Sequence, residues 1–234
     1  MRGEDILKKK RIYTILGIIL LFFGLGSFIY NSKFTQNSFV NHSQSTIMKK
    51  TNKNDMSKAN KKKGNFNPND TSIASQSTVI KNAIKAKHVF PIGIMSIPDI
   101  KITNPILKGY GNDGSYLALG ACTAKANDIM GQGNYALVGH YMNSNTVFHS
   151  LNKAKPGMKI YITDKKNIYT YQVTSNQTID HMDVNVLNDT QIPSITLITC
   201  KGLNETPLRT CVKGKLIAIH PSTNKLLKQY QLEN

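Results

Sequence analysis

The fold and the chemistry of this chain are decided by the stretch Thr196-Leu197-Ile198-Thr199-Cys200. A run of β-branched and apolar residues ends on a cysteine, so the pattern predicts a strand that carries a thiol at its end. Arg209 opens the next such run, and His140 closes an earlier one. Cysteine, histidine and arginine are the groups that acyl transfer through a thiol needs: a nucleophile, a proton shuttle and a fixed positive charge.

The sequence around this stretch predicts an all-β domain. From His88 onward, short apolar runs alternate with Gly, Pro, Asn and Asp, which is typical of a β-barrel or sandwich. Residues 115–119 and 146–151 are the only short helices that this part of the chain suggests. The predicted strands cover residues 91–97, 101–103, 135–139, 159–163, 169–175, 195–199 and 213–219.

With these motifs the sequence resembles the sortases, the cysteine transpeptidases of Gram-positive bacteria, and most of all class A, the housekeeping type. The family pattern Thr-Leu-x-Thr-Cys is met in full at 196–200, and the family histidine follows a glycine, as His140 does. The family pattern Arg-x-x-Val-x-Gly-x-Leu is met at 209–216. The resemblance runs from about residue 90 to 220, with further motifs at 91–94, 131–135, 148–151 and 183–187.

The resemblance implies a closed β-barrel with short helices in its loops and a reaction without cofactor or metal. Cys200 would attack the threonine carbonyl of a Leu-Pro-x-Thr-Gly sorting signal on a surface protein. His140 would protonate the leaving glycine amine and then activate an incoming amine, that of a cell-wall precursor of the lipid II type. Arg209 would hold the carbonyl and the oxyanion.

A groove for the sorting signal is also implied by the resemblance. Its apolar walls would suit a Leu-Pro dipeptide, although ordinary core packing remains an alternative for the valines. The implied groove residues are Val138, Val184, Val186, Leu187 and Thr199.

The remaining cysteines and histidines lack these motif contexts. Cys122 and Cys211 are interpreted as structural, and the odd count of three cysteines favours at least one free thiol. His149, His181 and His220 are not preceded by glycine and are predicted to be surface residues. No cysteine–histidine spacing suggests zinc.

Lys125 stands where some class A sortases carry the first acid of a calcium site. Calcium prefers several oxygen ligands, and charged ones above all. A lysine would occupy and repel that position, so the sequence favours an enzyme that does not need calcium.

The first 30 residues predict a membrane anchor. Residues 1–11 contain Lys8-Lys9-Lys10-Arg11 and are predicted to be a cytoplasmic tail. Residues 12–30 are apolar and close to the ~20 residues that span a bilayer, so they are predicted to be a transmembrane signal-anchor. A cleaved signal peptide is the alternative, but the exit of this run is a poor cleavage site.

Residues 31–87 are predicted to be a basic, low-complexity stalk, and 88–234 the extracellular catalytic domain. The stalk holds eleven lysines and two acids. Its residues 31–80 have few large apolar side chains and are expected to bury too little surface to fold. It could be a solvated linker or bind anionic wall polymers. Nucleic acid is excluded as a partner because the segment would lie outside the membrane and lacks interleaved aromatic residues. The apolar spacing at 79–87 predicts one short helix.

Two other functions are compatible with parts of this pattern. A membrane-anchored cysteine peptidase would hydrolyse similar peptides with the same residues. A non-catalytic wall-binding module would use the basic stalk, but it would not need the complete set of cysteine, histidine and arginine.

Overall fold

Eight strands form a closed barrel in the computed structural model, which describes residues 2–30, 33–67, 88–142, 146–202 and 206–233. Around the barrel the strands follow the order β1-β2-β3-β4-β7-β8-β6-β5. The pairs β2–β3 and β4–β7 are parallel, and the others are antiparallel. The strands are β1 Gly93–Ile97, β2 Ile102–Leu107, β3 Ala121–Thr123, β4 Asn134–Val138, β5 Lys159–Thr163, β6 Asn167–Asp180, β7 Ser194–Cys200 and β8 Leu208–Pro221.

The all-β prediction is therefore confirmed, with differences at particular elements. Strand β3 has three residues and was not predicted, because such a short run carries no readable alternation. The predicted helix at 115–119 is a 3₁₀ helix, Asn112–Ala118, and only Leu151–Lys153 is helical near the second one. A short C-terminal helix, Asn224–Gln229, was also missed. The helix predicted at 79–87 lies outside the described residues.

The barrel interior is filled by alternate residues of each strand, as the period of a strand requires. On β7, Ile195 and Leu197 are wholly buried, and Tyr135 and Leu137 face them from β4. This parity sends Ile198 and Cys200 to the outer face of the barrel. The thiol of Cys200 therefore lies on the outside of the sheet rather than in its core.

Helix α1, Arg2–Tyr30, carries the apolar run near the N-terminus. Its large side chains are exposed, among them Leu20 at 68% and Phe23 at 78%. Within the described part of the chain, no helix has the length and apolarity that a bilayer crossing requires. The transmembrane assignment of residues 12–30 stays a prediction.

Two further helices pack against the barrel, α2 Lys33–Met48 and α3 Lys53–Lys61. The expectation that this segment buries too little surface to fold is wrong for these residues. Val40, Ile47 and Met48 lie on one face of α2 and are at most 5% exposed. A few apolar residues on one face of a polar helix are enough to pack it against the barrel, because the barrel already offers an apolar surface.

The chain after α3 is fixed to the loop that follows β2. Tyr110 donates its backbone N–H to the carbonyl of Asn65 at 2.7 Å, and the Asn65 side chain donates to the Gly111 carbonyl at 3.0 Å. A Cβ at Gly109, where φ is 66°, would lie 2.3 Å from the Asn65 oxygen. Glycine is therefore required there for the two backbones to approach.

Candidate active site

Three neighbouring strands bring His140, Cys200 and Arg209 into one row. Strands β4 and β7 run in parallel with Val138 opposite Ile198. His140 follows two residues after the end of β4, and Cys200 is the last residue of β7, so both lie at the same end of this strand pair. On the other side of β7, Cys200 is paired directly with Arg209 of β8. All three residues are half-buried, as expected for side chains on the outer face of the sheet. Cys200 thus has Arg209 directly opposite on β8, and the chain that leads to His140 lies on its other side.

The backbone of His140 is held from two directions. Its N–H donates to the carbonyl of Leu117 in the 3₁₀ helix at 3.0 Å, and its carbonyl accepts from the N–H of Phe148 at 3.4 Å. Desolvation by burial lowers the pKa of His140 from 6.5 to about 4. The imidazole is therefore neutral at physiological pH.

Arg209 is anchored by the loop that precedes β8. Its Nη1 donates to the carbonyl of Thr206 and to the carbonyl of Leu208, the latter at 3.1 Å. These bonds orient a planar guanidinium at the level of Cys200. A fixed positive charge of this kind can stabilise an oxyanion that forms next to the thiol.

The three cysteines differ sharply in their surroundings. Cys122 is wholly buried, and desolvation raises the pKa of its thiol well above the ordinary value. Cys211 is 2% exposed, and desolvation also raises the pKa of its thiol. Cys200 is half-buried and reaches the surface. Only Cys200 combines access for a substrate with a neighbouring histidine and arginine.

The implied groove residues fall into two groups. Val138 lies on the outer face of β4, one step below His140, and forms a row with Ile198 and Cys211. The 3₁₀ helix Val184–Leu187 precedes β7, and we call it the groove segment. Val184 is 64% exposed and Leu187 is half-buried, whereas Val186 is 9% exposed.

Thr199 requires a correction. It lies on the face of β7 opposite Cys200, is 2% exposed, and its hydroxyl is buried without a partner among the described residues. Because successive side chains of a strand alternate between its faces, Thr199 points into the barrel and cannot line an outer groove. Ile198, the outward neighbour, takes that place on β7.

The groove segment is tied to the barrel by Asn134, the first residue of β4. Its buried amide donates to the carbonyls of Val186 and Asn188 at 2.9 and 3.1 Å. Its oxygen accepts from the hydroxyl of Thr196 at 2.7 Å. The sequence marks Asn134 only as an amide at the start of an apolar run, so its role in holding the groove segment was not predicted.

Lys125 links the loop before β4 to the loop after the groove segment. Its ammonium lies 3.2 Å from Asp128 and 2.7 Å from Asp189. Desolvation acts to lower the pKa of Lys125, but the hydrogen bond to Asp189 and the charge of Asp128 outweigh it, so the pKa is raised. The hydrogen bond from Lys125 also lowers the pKa of Asp189. The two carboxylates thus share one ammonium that belongs to the chain, which offsets one of their two negative charges.

The other candidate histidines are engaged elsewhere. His149 Nδ1 lies 2.6 Å from the carbonyl of Met142, and its ring is 5.1 Å from that of Tyr141. His181 is exposed and lies 3.2 Å from the carboxylate of Asp180. His220 is exposed on the outer part of β8. These positions keep His149, His181 and His220 out of the row that contains Cys200.

Known proteins share both the sequence and the fold of this domain. A family model described as the sortase domain matches residues 95–217. Sortase A of Listeria monocytogenes is 34% identical over 221 residues, which cover 94% of this chain and 95% of that protein. Sortase A of Streptococcus agalactiae is 36% identical over 198 residues, covering 80% of this chain and 77% of the relative.

A solved structure supports the same comparison. The crystal structure of Listeria monocytogenes sortase A superimposes with a TM-score of 0.59 at 35% identity. The match covers 62% of this chain and 99% of that structure. The shared part therefore corresponds in size to the barrel rather than to the whole chain.

Proposed function

Because the chain belongs to the sortase family of cysteine transpeptidases, and resembles its class A members, we propose that it acts on Leu-Pro-x-Thr-Gly sorting signals. It cleaves between threonine and glycine and joins the threonine carbonyl to an amine of the cell-wall precursor. The observation that carries this proposal is the pairing of Cys200 with Arg209 across β7 and β8, with His140 just beyond the same end of the neighbouring strand β4.

The first half-reaction makes a thioester. The thiol of Cys200 gives its proton to the neutral imidazole of His140 while its sulfur forms a bond to the threonine carbonyl carbon. The carbonyl oxygen becomes an oxyanion, which the Arg209 guanidinium stabilises. When the C–N bond to glycine breaks, His140 donates its proton to the departing amine.

The second half-reaction runs through the same groups in the reverse direction. An incoming amine attacks the thioester carbonyl and loses a proton to His140. The C–S bond then breaks, and the sulfur of Cys200 recovers that proton. His140 therefore begins and ends each cycle neutral, in agreement with its pKa of about 4.

An apolar rim beside Cys200 supports peptide recognition. Val184, Met182 and Leu208 are 64%, 72% and 39% exposed, on the loops that flank the end of β7. With Val138 and Ile198 on the sheet below, these side chains offer walls for a Leu-Pro dipeptide. Hydrophobic side chains in such a position gain burial when the peptide binds.

Membrane anchoring through residues 12–30 is part of the proposal. It rests on the apolar run, on the basic residues that precede it, and on the exposure of its large side chains. With a cytoplasmic N-terminus, residues 88–234 would form an extracellular catalytic domain. Fractionation of cells into membrane and soluble parts, followed by protease protection, tests this orientation.

Mass spectrometry of the intact protein tests the chemistry. After incubation with a Leu-Pro-x-Thr-Gly peptide, we expect a mass increase equal to the acyl fragment, removable by hydroxylamine. The variant Cys200→Ala should show no such adduct. Added triglycine should convert the adduct into a peptide with a new C-terminus. Release by water alone, at a rate unaffected by triglycine, would favour the peptidase over the transpeptidase.

A further inference from the structure

A cavity of about 620 Å³ lies between the N-terminal segment and the barrel, apart from the groove. One wall comes from residues 62–65, after α3, and another from the chain before β1, with Phe90. The third wall comes from the end of β2 and the 3₁₀ helix, including Lys108, Tyr116 and Leu119. The cavity therefore exists only because the N-terminal segment packs against the barrel.

The charge of this cavity is strongly positive. Lys62 and Lys63 face it from the N-terminal segment, and Lys108 faces it from the bend that follows β2. Lys62 also lies 5.4 Å from the centre of the Phe90 ring, and the ammonium of Lys108 donates to the carbonyl of Asn60. Among the described residues that line the cavity, none is acidic. Lysines on opposite walls are suited to an anion with several negative oxygens.

Apolar surface lies beside the lysines. Phe90, which is 37% exposed, and Leu119 line the same cavity as half-buried Tyr116. A ligand that fills this space would combine a multiply charged group with a carbon part. Free inorganic anions would leave the apolar wall without a partner.

The cavity is connected to the active site by the 3₁₀ helix Asn112–Ala118. Tyr116 of this helix lines the cavity, and the next residue, Leu117, accepts the hydrogen bond from the N–H of His140 at 3.0 Å. A molecule held in the cavity is therefore on the histidine side of the row, where the incoming amine must lose its proton. The peptide groove lies along β7, under the groove segment.

From this geometry we infer that the cavity binds the diphosphate of a lipid-linked amine, the second substrate of the transpeptidation. This inference rests on the proposed function, because it names where the acceptor is held. Lys62, Lys63 and Lys108 contact the phosphate oxygens, and Phe90 and Leu119 contact the adjoining carbon chain. The cavity thereby distinguishes a diphosphate-bearing amine from a small soluble amine.

Binding is measured first with inorganic diphosphate as the probe. Titration calorimetry uses the full chain in a phosphate-free, non-ionic detergent at low salt, since salt screens exposed lysines. We expect saturable binding that is about fivefold to tenfold weaker in the double variant Lys62→Gln/Lys63→Gln. The control Lys225→Gln/Lys228→Gln removes the same charge from the exposed C-terminal helix and should bind as wild type does. Equal binding by all three proteins would overturn the site.

Kinetic measurements with two acceptor amines then test whether the cavity binds the diphosphate of the second substrate. The Lys62→Gln/Lys63→Gln variant should raise the KM for a diphosphate-linked lipid amine by about fivefold or more and leave the KM for triglycine unchanged. Inorganic diphosphate should compete with the lipid amine and not with triglycine. If it binds but competes with neither, the assignment to the acceptor is overturned.

The rate of thioester formation distinguishes a failure of the proposed function from a failure of the cavity assignment. If wild type forms no adduct with the sorting peptide, the proposed function fails, whatever the cavity binds. If both wild type and Lys62→Gln/Lys63→Gln form the adduct at the same rate and use the lipid amine equally well, only the cavity assignment fails. Thermal unfolding of the variant alongside wild type identifies any loss that comes from misfolding.

Discussion

Replacing Ile47 by alanine tests whether helix α2 is packed against the barrel as a part of the folded domain. Ile47 lies on α2 and is wholly buried in a cluster with Leu107, Leu117 and Leu119 of the barrel. If α2 packs as described, Ile47→Ala should lower the free energy of unfolding as a core substitution does. If α2 belongs to a solvated stalk, the same change should have almost no effect.

The expected magnitude follows from the atoms that are removed. Ile47→Ala deletes three carbon groups, each worth about 0.8 kcal/mol when buried, which gives about 2.4 kcal/mol for transfer alone. A residual cavity adds to this loss, because α2 cannot collapse fully onto the sheet. We therefore expect about 3 kcal/mol, within the range of about 2–5 kcal/mol for such substitutions.

Urea denaturation of the full chain in detergent, followed by circular dichroism, measures this difference. The matched control is Ile129→Ala, at an isoleucine that is 56% exposed in a loop, where a change within about 0.5 kcal/mol is expected. The slope of the unfolding free energy against urea should stay the same in both variants. Equal, small effects of Ile47→Ala and Ile129→Ala would refute the packing of α2 against the barrel.

Four further predictions concern the active site. Cys200→Ala should abolish transpeptidation in a peptide-cleavage assay, whereas Cys122→Ala, at a buried protonated thiol, should keep most of it; loss in the latter with an intact fold would contradict the assignment. Burial lowers the pKa of His140 to about 4, so the unfolded state takes up a proton before the folded state does as the pH falls below 6.5. The free energy of unfolding should therefore decrease by about 2–3 kcal/mol from pH 7.5 to pH 4.5. In His140→Gln this part of the decrease should vanish in urea titrations at the two pH values, and an unchanged slope with pH would assign it to other groups. Arg209→Lys should keep less than about a tenth of the activity in the peptide-cleavage assay, because a point charge replaces a planar fork of donors. Such donors stabilise the transition state by about 3 kcal/mol. Activity equal to that of wild type would mean that the positive charge alone is sufficient. Lys125→Ala should raise the KM for the sorting peptide about threefold to tenfold, because it releases the loop after the groove segment. The activity of wild type should change little in millimolar calcium. Strong activation of wild type by calcium would contradict the role of the Lys125 ammonium.

Strand positions could be predicted from the sequence wherever an apolar run was long enough to show its limits. The run that became β5, Lys159–Thr163, has the predicted bounds, and β7 extends the prediction by one residue at each end. Helix α2 was missed because its composition is polar and only a few buried positions, among them Val40 and Ile47, mark its inner face. Such a pattern predicts a helix only when the surface that the helix packs against is known.

The site shows the same division between local pattern and long-range contact. Cys200, His140 and Arg209 were identified from their motifs, and their catalytic roles stay a prediction. The register of β7 and β8 pairs Cys200 with Arg209, and His140 follows the end of β4. Thr199 was misplaced, although strand alternation alone puts it on the face opposite Cys200. The sequence located Lys125, but its bond to Asp189 could not be predicted because it joins two loops that are distant along the chain.

The parallel pairing of β4 with β7 has a consequence for how the protein acquires its activity during synthesis. Strand β4, which ends just before His140, emerges from the ribosome long before its partner β7, and β8 with Arg209 emerges last. Non-local pairing of this kind forms late, after the loop between the strands has closed. A chain that ends before β7 can therefore pair β4 with β3 but leaves its other edge without a partner, so Cys200 and Arg209 join the end of β4 that precedes His140 only when the barrel closes.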